Sequence, residues 1–483
     1  MSVKFHNTLT GEEEEFVPLE EGKVRMYCCG PTVYDYFHIG NARTFIIFDA
    51  LRRYLEFRGY QVTFVQNVTD VEDKIINKAN EEGKEPEEVA SKYKKAYFED
   101  LEKLGVKRAD LNPEVTEHIE EIIEHVSALQ DAGYAYQVEG DLYFRVRQFS
   151  DYGKLSGRKL EDLRSGARVE VDERKEDPLD FALWKESGPE EVGWDSPWGR
   201  GRPGWHIECS VMNLHSLGET IDIHAGGSDL VFPHHENEIA QAEAKTGKQF
   251  VRYWLHNGLL RIDGEKMSKS LGNFEYAREV LERHDKETIR FFYFSTHYRK
   301  PLNFSEEALE EAARSVERVY NLFDEVEKDY GSFFETPEGD LASLQPESEA
   351  GAEFLRYLKG VRQEFINVVD EDFNTPGGLG VVFELVKRIN KLRREEPEEA
   401  ELIERGAAEV RQLAQPLGLF QGREAPSLDE KAERLLELLI EVREELREER
   451  QWDLADRIRD ELEGMGIELK DGEEETAWFL KDR

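Results

Sequence analysis

The chain has 483 residues, with 64 Lys and Arg against 104 Asp and Glu, a formal net charge of −40. An apolar share of 39% with 11% aromatics supplies real cores and excludes wholesale disorder, and the length asks for roughly three or four domains. Three cysteines (Cys28, Cys29, Cys209) exclude a disulfide framework and point to reduced thiols or metal ligands. No apolar run reaches a membrane span and the first residues lack a signal-peptide layout, so a soluble, cytoplasmic chain with no membrane partner is expected. The charge, read plainly, opposes a polyanionic partner. A very salty cytoplasm removes the conflict, because at about 1 M salt the Debye length is only about 3 Å; a halophilic source is therefore expected.

In chain order, residues 23–30 (KVRMYCCG) read as a buried strand entering a glycine turn, followed by a helix over about 40–59. Residues 60–67 (YQVTFVQN) alternate and are rich in β-branched types, a second strand. Strand, glycine turn, helix and strand open a doubly wound parallel sheet. A long helical stretch over 71–104 and another over 115–132 come next. Residues 133–191 read as an insertion, beginning with a hairpin over 134–146 and then irregular and charged. The sheet pattern resumes near Trp205 and at 221–224, with 253–260 as a last strand. Beyond Asn273 the pattern is helical, with a linker at 331–351, helices over 353–370 and 377–394, and a break at 416–426. Helices over 428–450 and 453–463 and a short strand at 466–470 close the chain.

Two segments carry phosphate chemistry. His38-Ile39-Gly40-Asn41 lies where a helix begins, so free N–H groups and the positive helix end make an anion site that Gly40 lets a ligand approach. Lys266-Met267-Ser268-Lys269-Ser270 places two cations and two hydroxyls in a glycine-flanked loop suited to a polyphosphate. A third constellation gathers metal-ligand types in Trp205-His206-Ile207-Glu208-Cys209 and Pro233-His234-His235-Glu236-Asn237-Glu238. His234 and Glu238 stand at i and i+4, on one face of a helix. With Cys209 and one thiol of the Cys28-Cys29 pair they make two sulfurs, a nitrogen and an oxygen, a set that suits zinc. Adjacent cysteines on a strand face opposite ways, so one of the pair is a ligand. Spacing does not choose which, nor between His234 and His235.

The two phosphate segments, in this order on a Rossmann-like sheet, resemble the signatures of class I aminoacyl-tRNA synthetases, with Asn41 where the family pattern has a second histidine. The segments MYCCGPTVYDYFHIGNART, NVTDVEDKII, GWHIECSVM, HAGGSDL and FPHHENEIAQ narrow the resemblance to the cysteinyl-tRNA synthetase family, over essentially the whole chain. It implies an α/β fold: a Rossmann-like doubly wound parallel-sheet catalytic domain with an inserted connective segment, a helical bundle, and a small α+β anticodon-binding domain. The expected division is 1–132 and 192–262 for the catalytic halves, 133–191 for the insertion, 263–315 for the signature loop and stem-contact region, 316–415 for the bundle and 416–483 for the last domain.

The resemblance implies ligation of L-cysteine to tRNA(Cys) through a cysteinyl-adenylate, with ATP and Mg2+ as substrate and one Zn2+ per chain, in a monomer. His38, Asn41, Lys266 and Lys269 are implied as catalytic, and Gly40, Ser268, Ser270 and Lys269 as ATP-binding. Zinc is implied on Cys29, Cys209, His234 and Glu238, leaving Cys28 and His235 outside. Gly30, Thr69, Trp205, His224 and Asp229 are implied beside the amino acid. Near the C-terminus, Trp452 is a candidate for stacking on a base, and Asp456, Arg459 and Asp471 for reading base edges. Cysteine and serine are nearly isosteric and hydrogen bonds separate such pairs poorly; a soft metal–thiolate bond removes the need for an editing domain. Two other readings share these residues: a ligase joining cysteine to a sugar amine, disfavoured by the C-terminal region, and a non-catalytic RNA-binding relative, disfavoured by the intact signatures.

Overall fold

A computed structural model describes residues 2–159, 174–262, 265–267, 274–333, 341–422, 430–448, 450–471 and 476–480. The chain forms two units, Met1–Phe420 and Gln421–Arg483.

The first unit opens with a hairpin that the sequence pattern does not announce, β1 (Lys4–Asn7) against β2 (Glu12–Glu15). Four consecutive glutamates are poor strand formers. They are held extended by pairing with β1, whose Phe5 and Asn7 are buried. The central sheet contains β3 (Lys23–Cys28), β4 (Gln61–Gln66), β9 (Ile221–Gly227) and β10 (Val251–Asn257), all parallel, in the order β10-β9-β3-β4. Every residue of β9 is buried, as expected of a strand covered on both faces.

Helix α1 (Ile39–Phe57) joins β3 to β4, with Ile39, Ala42, Ile46, Ile47 and Ala50 buried. The expected helix over 71–104 is in fact two, α2 (Asp73–Glu82) and α3 (Pro86–Lys103). Gly83 ends the first in a left-handed conformation (φ 64°) and Pro86 starts the second, the usual asymmetry of helix ends. The helix expected over 115–132 is α4 (Ile119–Asp131), preceded by a single 3-10 turn.

The inserted segment is more ordered than its charge suggests. Strands β5 (Ala135–Val138), β6 (Asp141–Phe144), β7 (Phe181–Glu186) and β8 (Gly201–Pro203) form an antiparallel sheet. Trp205 is not in a strand but opens helix α5 (Trp205–Leu217). Helix α6 (Glu236–Thr246) leads into β10, which ends at Asn257; Leu260–Ile262 is a separate strand, β11, paired with β12 (Glu265–Lys266) and with β13 (Leu302–Phe304). Between them lie α7 (Ala277–Leu281) and α8 (Lys286–Phe294).

The bundle comprises α9 (Glu306–Tyr330), α10 (Glu349–Val369), α11 (Thr375–Glu395) and α12 (Ala400–Ala414), the last absent from the sequence expectation. It is joined to the sheet domain by buried polar contacts. Arg290 pairs with Asp49 at 2.9 Å and donates to Leu417 O at 2.8 Å. The basic residues of α11 are largely paired: Arg388 with Glu384, Lys391 with Glu395, Arg393 with Glu325 and Asp329. The second unit has helices α13 (Glu430–Glu448) and α14 (Trp452–Gly464) and a hairpin, β14 (Ile467–Asp471) with β15 (Thr476–Leu480).

With a net charge of −40, self-repulsion in dilute buffer is large and is screened at molar salt. The melting temperature is expected to rise by several degrees between dilute buffer and 2 M KCl. An unchanged or falling value in a thermal scan would remove the halophilic reading.

Candidate active site

The metal-ligand residues converge from four places: the end of β3, the end of the first turn of α5, the middle of β9, and the turn at Val231–His235 that runs into α6. Cys28 and Cys29 face opposite ways, as the strand geometry requires. Cys28 packs into the core shared with α1, whereas Cys29 lies on the other face with Cys209. Cys29, Cys209, His234 and Glu238 are all buried, with one donor atom from each lying within 4.8 Å of the others. Glu238 Oε1 is 3.0 Å from His234 Nε2 and 3.6 Å from Cys29 Sγ. Tetrahedral zinc sets its ligand atoms about 3.3–3.8 Å apart, so the donor set and its spacing fit that ion.

A second set overlaps the first: Cys29, His224, His235 and Glu238. His235 Nε2 is 3.3 Å from Cys29 Sγ and His224 Nε2 is 2.8 Å from Glu238 Oε2. His235 is held through its other nitrogen by His256 at 2.8 Å, and His256 in turn by the Thr8 hydroxyl at 2.8 Å. Sequence reasoning left His235 open and missed His256 and Thr8, which sit on β10 and at the end of β1 with no motif around them. His224 stacks on Trp254, with ring centroids 4.5 Å apart.

The four groups divide electrostatically, with Cys209 and Glu238 drawn toward their anions and Cys29 and His234 toward their protonated forms. A hydrogen bond from Cys29 brings the Cys209 thiol down to about 6, with His234 adding to it against the cost of burial. Burial pushes Cys29 well up. Burial also raises Glu238, but the imidazoles of His224 and His234 outweigh it and hold the carboxyl well below its usual range. For His234 burial acts downward, and Glu238 and Cys209 reverse it, to about 10. Cys28, by contrast, is pushed up to about 12 by burial and is an inert core thiol.

Cys29 also lines a cleft of ≈ 390 Å³ with Gly30, His38, Gly40, Asn41, Asp229 and Met267. One opening therefore reaches both the metal-ligand set and the first phosphate segment. Gly30 donates its N–H to Asn67 Oδ1 at 2.9 Å, and a Cβ at this position would lie 1.7 Å from Asn67 O; only glycine fits. Thr69 donates to Glu208 Oε2 at 3.0 Å, and burial keeps the Glu208 carboxyl well above its usual range. Trp205 is 39% exposed and stacks on His234 at 4.5 Å.

His38 caps α1, its Nδ1 accepting from the Asn41 N–H at 3.1 Å. That places the proton of the neutral ring on Nε2. Asn41 is exposed at the helix start. The backbone of Lys266 pairs in β12 with Arg261 of β11, and Met267 is buried beside Gly40. Ser268, Lys269 and Ser270, and the side chain of Lys266, lie outside the described residues.

In the second unit, Trp452 starts α14 and is 54% exposed. The core there is Leu436, Ile440, Leu462 and Ile467, with Ile458, Leu469 and Trp478 packed on it; the core tryptophan is Trp478. Asp456 and Arg459 pair with each other at 3.0 Å. The side chain of Asp471, at the end of β14, lies outside the described residues.

Residues 15–314 match the tRNA synthetases class I (C) catalytic domain, and residues 364–421 the DALR domain. A cysteine–tRNA ligase of Clostridioides difficile is 52% identical over 476 residues, covering 99% of both chains. One of Thermococcus onnurineus is 50% identical over 481 residues, again covering 99% of each. Among solved structures, Mycobacterium tuberculosis methionyl-tRNA synthetase with methionyl-adenylate superposes with a TM-score of 0.60 at 17% identity, covering 86% of this chain and 94% of that one. An Agrobacterium radiobacter LeuRS in a tRNA complex gives 0.59 at 12% identity, covering 83% and 84%. At such identities these two speak for the fold alone.

Proposed function

The chain belongs to the cysteine–tRNA ligases, class I aminoacyl-tRNA synthetases that use ATP to charge tRNA with cysteine, and from that premise we propose how its residues divide the work. The observation that carries the reading is the buried set Cys29, Cys209, His234 and Glu238 at the cleft that His38, Gly40 and Asn41 also line. These four residues would hold zinc, which when bound takes the substrate thiolate as a further ligand and discriminates against the hydroxyl of serine. Gly30, Thr69, Trp205, His224 and Asp229 surround the rest of the amino acid, Gly30 by giving room.

The cysteine carboxylate attacks the α-phosphate of Mg2+-ATP, and pyrophosphate leaves. Charge grows on the α-phosphate and the leaving group. His38 Nε2, the Gly40 N–H and the Asn41 side chain supply donors from one side, with Gly40 also allowing close approach. Lys266 and Lys269, with Ser268 and Ser270, supply cations and hydroxyls from the other. The acyl group then passes to tRNA(Cys). The division of the chain follows this: catalytic halves at 1–132 and 192–262, the insertion at 133–191, the signature loop and stem-contact region at 263–315, the bundle at 316–415 and the anticodon-binding domain at 416–483. The protein acts as a cytoplasmic monomer; no described helix is long and apolar enough to cross a membrane.

A cysteine–sugar ligase is disfavoured by the DALR match at 364–421 and by full-length similarity to tRNA ligases. The test is cysteine-dependent ATP–pyrophosphate exchange followed by transfer to tRNA in high salt. Serine is the control, and exchange with serine as fast as with cysteine would overturn the zinc role. Trp452, Asp456, Arg459 and Asp471 are proposed to meet the anticodon. Stacking on a base is worth about 1–3 kcal/mol, so Trp452→Ala is expected to raise the KM for tRNA about tenfold while exchange without tRNA is unchanged. An unaltered KM would assign Trp452 to the bare surface.

A further inference from the structure

Arg43 lies one turn into α1 and is completely buried. Its partners are four main-chain carbonyls. Nη1 donates to Gly258 O at 2.7 Å and to Leu259 O at 3.2 Å, and Nη2 to Tyr298 O at 3.2 Å and Lys300 O at 2.7 Å. Burial lowers its pKa only to about 10, so the guanidinium stays charged at neutral pH. A buried cation spent on four carbonyls is costly to desolvate, and the carbonyls it gathers are not arbitrary. Gly258 and Leu259 lead directly into β11, which pairs with Lys266. Lys300 leads into β13, the other neighbour of β11.

The chain on the far side of the second signature is fastened to the same turn of α1. Ile39 N donates to Glu275 O at 2.9 Å and Ala277 N to Phe37 O at 3.1 Å. The Tyr293 hydroxyl donates to Ile39 O at 2.6 Å. Met267 N donates back to Leu260 O at 3.3 Å. The described residues before and after the second signature thus hang on the helix that begins at His38.

We propose that Arg43, with Tyr293 beside it, is a positioning residue for adenylate formation: it fixes β11 to the start of α1, so that the two signatures keep one spacing across the polyphosphate. This rests on the reading of Lys269 and His38 given above. Arg43 reaches no substrate and acts through the strand it holds. Lysine offers a point charge where arginine offers a planar fork, so Arg43→Lys preserves the charge and loses most of the carbonyl contacts.

The test is a double-mutant cycle in cysteine-dependent ATP–pyrophosphate exchange, with full-length protein at high salt. Arg43→Lys is expected to lower kcat about 10- to 100-fold, the cost of a misplacement of roughly 1 Å. The KM for cysteine and the zinc content are expected to stay as in the wild type, because the metal-ligand set does not hang on Arg43. In the Arg43→Lys/Lys269→Ala double variant, kcat should fall by much less than the product of the two single losses, since the placement of an absent lysine no longer matters while that of Lys266 still does. A merely structural arginine would instead give losses that multiply. The same cycle is run with Tyr293→Phe, which removes one hydroxyl and no charge, so a folding failure of Arg43→Lys leaves the test intact. Losses under twofold in the folded single variants, multiplying losses, or a parallel rise in the KM for cysteine would each overturn the proposal. A wild-type protein without cysteine-dependent exchange would overturn the underlying reading instead, and the proposal with it.

Discussion

Cys209→Ser is expected to lower cysteine-dependent ATP–pyrophosphate exchange by roughly 10³-fold or more and to empty the metal site. A thiolate is soft and a far better zinc ligand than a serine hydroxyl, which stays protonated at neutral pH. In this protein the Cys209 thiol is already brought down to about 6 by the hydrogen bond from Cys29, with His234 assisting. It would therefore ligate without a large cost in deprotonation. Losing several kcal/mol of charge stabilisation and substrate anchoring corresponds to the rate loss given, at about 1.4 kcal/mol per decade. The two overlapping donor sets make the measurement discriminating. Only the first contains Cys209. Zinc content would be read alongside the absorption of a cobalt-substituted sample, whose sulfur charge-transfer band reports the number of thiolates. Cys209→Ser protein that keeps one zinc per chain but not cysteine activation would place the ion among Cys29, His224, His235 and Glu238. Full activity without zinc would remove the metal from the chemistry altogether.

Lys269→Ala carries the second large effect, an expected fall of about 10²–10³-fold in kcat for exchange, or roughly 3–4 kcal/mol. In the proposed role, a lysine at this position would contribute a point charge to the transferring and leaving phosphates, where charge grows only as the reaction proceeds. The loss should therefore appear in kcat with the KM for cysteine nearly unchanged. Lys269→Arg, which keeps the charge but changes the donor geometry, should recover part of the rate. Undiminished exchange by Lys269→Ala would exclude this lysine from the reaction and leave Lys266 and His38 to carry the charge.

The readable parts of the chain were those in which chemistry is local. The HIGN turn declares its helix because capping depends on residues three apart, and His38 does accept from Asn41 N–H. That one of His234 and His235 meets Glu238 follows from helical spacing, and the structure brings His234 to 3.0 Å and His235 to 3.9 Å. What sequence could not show depends on partners far along the chain. The strand of four glutamates at Glu12–Glu15 exists only through β1, and the strands β7 and β8 only through β6. The break between α2 and α3 was written in Gly83 and Pro86, but the surrounding helical pattern concealed it. His256 carries no motif, and Arg43 lies within the first signature segment without a role readable there: each matters for what it touches some 21 or 215 positions away.

The doubled cysteine at the end of β3 has one more consequence. Side chains on a strand alternate, so a slip of β3 by one residue would carry Cys28 to the metal-facing side and still present a thiol there. A metal held there would not notice the error. The same slip would move Cys29 into the place of Gly30, where a Cβ would fall 1.7 Å from Asn67 O. The backbone of the neighbouring segment thus proofreads the register of the strand, a check that the ligand chemistry itself is unable to make.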